Sequence, residues 1–161
     1  MGVIVTKEID RGYKKARSEI QKVKIKRPHV AVGFQGESGG ARHPEGDGAT
    51  VADVATFNEF GTKDIPERSF IRSTMDEEKP ELLRLNKRLF RLMSAGKMTT
   101  ERALNILGLK IKALIQKKIT DLKDPPNHPK TIARKKSSNP LIDTGTMRQS
   151  VTFKVKRGGE Q

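Results

Sequence analysis

Apolar residues recur with helical spacing in two long stretches of the second half of the chain. Leucines lie three and four residues apart over 80–95, and a wider apolar stripe runs over 99–123. Because few residues separate the stretches, we expect two helices packed as an antiparallel hairpin, with Gly96 ending the first. The stripe residues are Leu82, Leu85, Leu89 and Leu92 in the first helix, and Leu104, Leu107, Ile111, Leu114 and Leu122, widened by Ala103, Ile115 and Ile119, in the second.

Two further helices are predicted in the first half. Over 6–23 the apolar positions repeat at spacings of four and three between Lys and Arg residues, with Thr6 as N-cap. Thr50 and Asp53 predict a capping box for a helix through Phe60, and Gly61 is placed to end that helix in a left-handed conformation. The apolar positions of the first of these helices are Ile9, Tyr13, Ala16, Ile20 and Val23.

Alternating apolar residues predict two short strands, at 29–34 and 151–156. Each needs a partner, so the two should pair despite their separation in the chain. Between the helices, 65–72 is expected to be extended because Pro66 restricts its own φ and that of Ile65. The predicted fold class is α+β, with a small antiparallel sheet packed against the long helical hairpin.

Two long loops complete the predicted single domain, 1–161. The stretch 36–49 is rich in glycine, and 124–140 holds four prolines and one helical turn with Thr131 as its cap. Within the domain, 6–27 forms a basic N-terminal helix and lead-in, 28–156 the body, and 157–161 a short tail.

Charge is unevenly distributed along the chain. The formal net charge is +14, yet residues 1–80 carry 14 basic and 13 acidic side chains, against 19 and 6 in residues 81–161. Segment 28–80 is net acidic and lies between two basic segments, which suggests charged faces that meet complementary faces. The absence of cysteine excludes disulfides. We expect a protein that is cytosolic when made, without a signal peptide or membrane span.

The search for catalytic chemistry gives little. The three histidines are scattered, and neither a metal-ligand spacing nor a nucleophile motif is present. Asp143-Thr144-Gly145 occurs once, whereas aspartic-protease chemistry needs two carboxylates that share a proton. The acidic run 76–78 is interpreted as favourable charge at a helix N-terminus. We therefore expect no enzymatic activity, no cofactor and no metal.

Two segments carry a more specific pattern. In the first, a helix ends in Glu59-Phe60-Gly61 and Pro66, Arg68 and Phe70 follow; in the second, Leu141, Thr144, Gly145, Met147 and Ser150 form a turn that leads into a strand. This pattern resembles the small neck and tail-completion proteins of tailed bacteriophages, also described as virion-morphogenesis or tail-component proteins. The resemblance covers about 28–156. The Thr-Gly block follows the Glu-Phe-Gly block here, whereas it comes first in the better-known branches.

The resemblance implies a structural virion protein at the head–tail junction, assembled as a ring around the DNA passage or capping the tail tube. Its implied partners are copies of itself, connector or head-completion proteins, tail-tube or tail-terminator proteins and, non-specifically, packaged DNA, but no membrane. Its implied locations are the virion neck or tail and, during assembly, the host cytoplasm. The candidate interface residues are Phe60, Gly61, Pro66, Arg68, Phe70, Arg72, Asp143, Thr144 and Gly145. For Phe70, an exposed anchor and a core residue are equally compatible with the sequence.

The alternative function is that of a basic, non-specific DNA- or RNA-binding protein. The basic clusters at 11–27 and 130–136 would neutralise phosphates, although aromatic residues for base stacking are nearly absent from them. Candidate contacts to DNA or to an acidic partner are Lys130, Arg134, Lys135 and Lys136.

Overall fold

The computed structural model describes residues 12–44, 47–135 and 137–157. The fold is α+β: helices predominate, and a two-stranded antiparallel sheet packs against the longest of them. The elements are α1 (Tyr13–Lys26), β1 (His29–Gly33), α2 (Gly36–Gly40), α3 (Val51–Phe60), α4 (Ile71–Glu77), α5 (Lys79–Ser94), α6 (Thr100–Asp121), α7 (Pro129–Lys135), α8 (Thr146–Ser150) and β2 (Thr152–Lys156). The fold class predicted from the sequence is confirmed.

The sheet pairs the two distant strands as predicted. β1 and β2 are antiparallel, with His29 opposite Lys156 and Gly33 opposite Thr152. The sheet covers α6 at Gly108, where an added Cβ atom would lie 2.4 Å from a ring carbon of Phe153 and 2.8 Å from a methyl carbon of Val30. Glycine at this position lets the strands approach the helix closely.

The core consists of two apolar clusters that both include residues of α6. The larger joins α6 to α3, α8 and the neighbouring segments, and the smaller joins α6 to α5. The buried line of α6 contains Ala103, Ile115 and Ile119, which the sequence placed at the margin of its stripe, whereas Leu104 and Leu114 are half-buried. Since α5 and the sheet both pack on α6, its most buried line differs from the centre of the leucine stripe.

The helical hairpin is confirmed. Gly96 adopts φ +68°, and its N–H donates to the Met93 carbonyl at 2.9 Å while the Lys97 N–H donates to the Leu92 carbonyl at 2.9 Å. This pair of hydrogen bonds ends α5 in a Schellman motif. The antiparallel arrangement brings Glu81, near the start of α5, to 2.6 Å from Lys110 in α6.

Several local predictions are wrong because short helices replace extended or loop structure. The stretch 65–72 is extended only until Phe70, where α4 begins. Of the acidic run 76–78, Asp76 and Glu77 therefore lie at the end of α4, whereas Glu78 is the N-cap residue of α5 as predicted. The predicted loop 36–49 contains α2, and α8 precedes β2. The helical turn predicted within 124–140 is present as α7, but Thr131 lies inside it and not at its cap.

The apolar stripe predicted for the N-terminal helix is confirmed only in part over its described residues. Ala16 is buried and Val23 packs against the smaller cluster, whereas Tyr13 is 70% exposed and Ile20 is 42% exposed. Glu19 is buried beside them. The Glu19 carboxylate accepts hydrogen bonds at 2.8 Å from both the backbone N–H and the hydroxyl of Thr100, at the start of α6. A polar contact thus orients α1. Thr6 and Ile9 lie outside the described residues.

Glu19 makes the stability of the protein depend on pH. The hydrogen bonds from Lys22 and the Thr100 amide lower the pKa of Glu19 to about 2, although burial opposes them. A folded-state pKa below the unfolded value stabilises the protein above the unfolded value of about 4.3, and this contribution is lost as pH falls towards 2. Glu19→Gln should reduce the free energy of unfolding at pH 7 by roughly 1–2 kcal/mol.

The measurement is thermal unfolding between pH 2 and 7. The difference between Glu19→Gln and the parent protein should shrink as the pH falls below about 4. Glu37→Gln is the control, since Glu37 is exposed. A difference that is constant with pH would contradict the assignment.

Candidate functional site

The two motif segments converge on one groove of about 720 Å³. Pro66 and Arg68 line it from one side, and Asp143, Thr144 and Gly145 line it from the other. Arg134 and Lys135 of the basic cluster line the same groove. Phe60, Gly61, Phe70, Arg72 and Lys130 do not line it, and Lys136 lies outside the described residues.

Buried Glu59 organises the segment that leads to the groove. Its side chain is 3% exposed, and its carboxylate accepts from the backbone N–H groups of Phe70 and Ile71 at 2.8 Å and of Arg72 at 3.0 Å, and from the Ser69 hydroxyl at 2.9 Å. Burial alone would raise the pKa of Glu59, but these backbone donors outweigh burial and hold it below its ordinary value. Glu59 thereby caps α4 from α3, since Phe70, the residue preceding α4, supplies no side-chain cap.

Arg72 closes this contact on the solvent side. Its guanidinium donates to the Glu59 carboxylate at 3.1 Å, to the Glu59 carbonyl at 2.9 Å and to Glu67 at 2.6 Å. It also lies over the Phe60 ring, 4.7 Å from the centroid. The carboxylate of Glu59, followed by that of Glu67, raises the pKa of Arg72. Phe60 remains 60% exposed and available at the surface.

Arg68 lies inside the protein and ties the motif to the proline-rich segment. Its guanidinium donates to the carbonyls of Pro125 at 2.7 Å and Pro126 at 3.1 Å, and to the side-chain oxygens of Asn127 at 3.1 Å and Asn58 at 3.3 Å. Among the described residues, none of these acceptors is a carboxylate. Burial lowers the pKa of Arg68, but a guanidinium stays protonated, so its charge is stabilised by carbonyl dipoles.

Phe70 is a core residue. It is fully buried, and its ring meets that of Phe34 edge to face with centroids 6.1 Å apart. The interpretation of Phe70 as an exposed anchor is therefore wrong for this structure. Arg68 is equally unavailable to a partner, because its guanidinium is already occupied within the chain.

Gly61 ends α3 as predicted, but in a different conformation. Its φ of +74° and ψ of +168° lie outside the left-handed helical region, in one that only glycine adopts readily. An added Cβ atom would lie 3.0 Å from the Glu67 backbone nitrogen and 3.2 Å from the Ile65 carbonyl oxygen.

The predicted capping box at the other end of α3 is confirmed, with Thr50 and Asp53 exchanging backbone-to-side-chain bonds of 2.9 and 3.1 Å.

On the opposite side of the groove, the Thr-Gly turn starts α8. Gly145 has φ +80° and precedes Thr146, whose hydroxyl lies 2.6 Å from that of Thr144. Asn139 holds the preceding residues by accepting from the N–H groups of Leu141 and Ile142 at 3.0 Å. The side chain of Thr144 remains exposed, whereas Asp143 is half-buried.

The groove combines both signs of charge with apolar walls. Carboxylates of Asp47, Asp64 and Asp143 share it with Arg134 and Lys135, and Lys135 donates to the Pro140 carbonyl at 3.3 Å. Phe57, 41% exposed, adds an aromatic surface beside them. The arrangement suits a polar and apolar protein surface better than a polyanion, which the three carboxylates would repel.

Sequence analysis missed the anchoring roles of Glu59, Asn58 and Asn127. One signal was present for Glu59, because it follows buried Val51 and Ala55 at spacings of four on one side of α3. For Asn127 the sequence holds no comparable signal. Its burial depends on Arg68, which lies 59 residues away in the chain.

Comparison with models of protein families, with curated proteins and with solved structures gives no match. In the described part of the chain, three or more histidine, aspartate or glutamate side chains are nowhere arranged as a set of metal ligands. Nor does any helix within those residues have the length and hydropathy needed to cross a bilayer.

Replacing Gly61 tests the chain reversal that precedes the motif. Gly61→Ala should lower the free energy of unfolding by roughly 1–3 kcal/mol, because it adds strain in φ and a close contact with the backbone of Glu67. Thermal and denaturant unfolding measure this. Gly40→Ala is the control, since open space surrounds a Cβ atom there. Equal effects of the two substitutions would contradict the prediction.

Replacing Arg68 tests the link to the proline-rich segment. Arg68→Lys keeps the charge but cannot reach four acceptors with one ammonium group, so we expect a loss of roughly 2–4 kcal/mol in stability. Hydrogen exchange of the Asn127 and His128 amides should become faster than in the parent protein. Arg72→Lys, at an exposed ion pair, should leave those amides unchanged. Unchanged exchange in Arg68→Lys would contradict the assigned role.

Proposed function

We propose that the protein is a structural subunit of a tailed-bacteriophage virion at the head–tail junction, acting in neck or tail completion as a ring around the DNA passage or as a cap on the tail tube. The observation that carries the proposal is the convergence of the motif residues. Segments separated by about 75 residues in the chain, and singled out by the resemblance alone, line a single groove.

The motif residues divide into a framework and a surface. Glu59, Gly61, Arg68 and Phe70 hold the chain in place through buried contacts, a role that suits a scaffold. The exposed members include Pro66 and Thr144, which line the groove, and Phe60, which lies outside its lining. We assign subunit contact to that exposed set, together with Phe57.

Exposed aromatic residues beside mixed charges favour a specific protein interface. Phe57 and Phe60 lie three residues apart on α3 and leave 41% and 60% of their surface exposed. Aromatic residues are the commonest anchors of protein interfaces, and surrounding charges set the orientation of the partner. Repetition of one such contact around a closed ring gives each subunit two interfaces.

The first experiment is mass spectrometry of virions purified from the host that carries this gene. The protein should be present in stoichiometric amounts. Its absence from purified particles would refute the proposal.

The second experiment tests the surface. Phe57→Ser combined with Phe60→Ser should leave the protein folded, at some cost in stability because Phe57 is 41% exposed and Phe60 packs under Arg72. It should reduce incorporation into particles roughly tenfold or more. The control is Leu83→Ser combined with Phe90→Ser, two exposed apolar residues of α5. Equal incorporation of both double variants would contradict the assigned interface.

A further inference from the structure

Among the described residues, eleven exposed basic side chains lie on two neighbouring helices, more than on the predicted cluster around α7. α5 exposes five basic residues, Lys79, Arg84, Lys87, Arg88 and Arg91, and α1 exposes six between Lys14 and Lys26. These helices pack together, with Gly12 at the start of α1 beside Gly96 at the end of α5. They therefore run side by side in opposite directions.

Acidic residues on the same two helices offset little of this charge within their described ranges. Within α1 and α5 the acidic residues are Glu19 and Glu81. Glu19 is buried against Thr100 and pairs with Lys22 at 2.7 Å, and Glu81 pairs with Lys110 of α6 at 2.6 Å. By contrast, Arg134 and Lys135 of α7 share the groove with three aspartates.

We propose that the exposed surface of α1 and α5, here called the α1–α5 face, binds the phosphate backbone of double-stranded nucleic acid without sequence preference. This inference does not rest on the proposed virion function. It moves the nucleic-acid contact from the candidate residues of α7 to the two helices whose exposed charged residues are basic.

The dimensions of the face match those of a duplex. At 1.5 Å per residue, α1 and α5 extend for about 21 and 24 Å. A duplex presents about one phosphate charge per 1.7 Å of its axis, so roughly a dozen phosphates lie within that length. Lys87 and Arg91, one turn apart, border a shallow depression that also contains Phe90. Such flexible cations neutralise phosphates but do not read bases.

A lipid surface fits the α1–α5 face less well. Membrane-surface helices gather their apolar residues on one side. On α1, exposed Tyr13 and Ile20 lie seven residues apart and hence on one side, but Arg17 lies between them on that side. On α5, exposed Leu83 and Phe90 share a side in the same way, with Lys87 between them. An acidic polypeptide remains the competing ligand, and the experiment separates it from nucleic acid.

The test uses the full chain and a fluorescently labelled random-sequence duplex of about 30 base pairs, followed by anisotropy at several salt concentrations. In the face variant, Arg17, Lys87, Arg88 and Arg91 are changed to Gln. The control variant carries the same change at Lys63, Lys130, Arg134 and Lys154, which are exposed residues elsewhere, so both variants lose four charges. Thermal unfolding checks that both fold.

The face variant should bind at least about tenfold more weakly than the parent protein, with a salt slope smaller by roughly 3, whereas the control should change affinity less than about threefold. Equal losses in both variants, or a larger loss in the control, would overturn the assignment to α1 and α5. Tighter binding of polyglutamate or of phosphatidylglycerol vesicles than of the duplex would overturn the choice of nucleic acid. Failure of the parent protein to bind the duplex at low salt would do the same.

Discussion

The arrangement of the motif region depends on burying one carboxylate. A charged carboxylate taken from water must recover its hydrogen bonds from the protein. Glu59 does so with the N–H groups of Phe70, Ile71 and Arg72, which are free because they begin a helix. The contact fixes α3 and α4 relative to each other, so the intervening chain must reverse at Gly61 and return extended. That return path carries Pro66 and Arg68 to the groove.

The second buried charge extends the same constraint to a distant part of the chain. Arg68 has five N–H donors, and its strongest contacts are with the Pro125 and Pro126 carbonyls and with Asn127. Prolines lack an N–H and leave this stretch few ways to pair with its neighbours, but their carbonyls remain strong acceptors. One side chain thus anchors the start of 124–140 against α3. Glu59 fixes the start of α4, and Arg68 binds the extended stretch before α4 to the segment 124–140. These two contacts together bring the walls of the groove into place.

Elements that depend on local interactions were predictable from the sequence, whereas features that depend on contacts between distant residues were not. α5, α6, the strands and the Thr50 capping box were predictable because periodicity and caps are local signals. α4 and α8 were missed because helices of five to seven residues form only with tertiary support, which Glu59 gives to α4. On the N-terminal helix, Ala16 and Val23 were placed correctly, but the burial of Glu19 was missed because its partner Thr100 lies 81 residues away. The groove required Arg68 and Asn127 to meet, which no spacing in the sequence indicates.

Net charge alone gives a misleading picture of this protein. An excess of +14 suggests general affinity for polyanions, yet the groove near the basic cluster of α7 includes Asp47, Asp64 and Asp143. Opposite charges held at fixed positions favour one orientation of a partner, which suits an interface between proteins. The exposed charged residues along α1 and α5 are basic. Such a surface does not favour one position along a duplex over another, which suits a uniform phosphate backbone. Since the two surfaces lie on different elements, substitutions on one can leave the other intact, so the proposed subunit contact and the proposed polyanion binding can be tested separately.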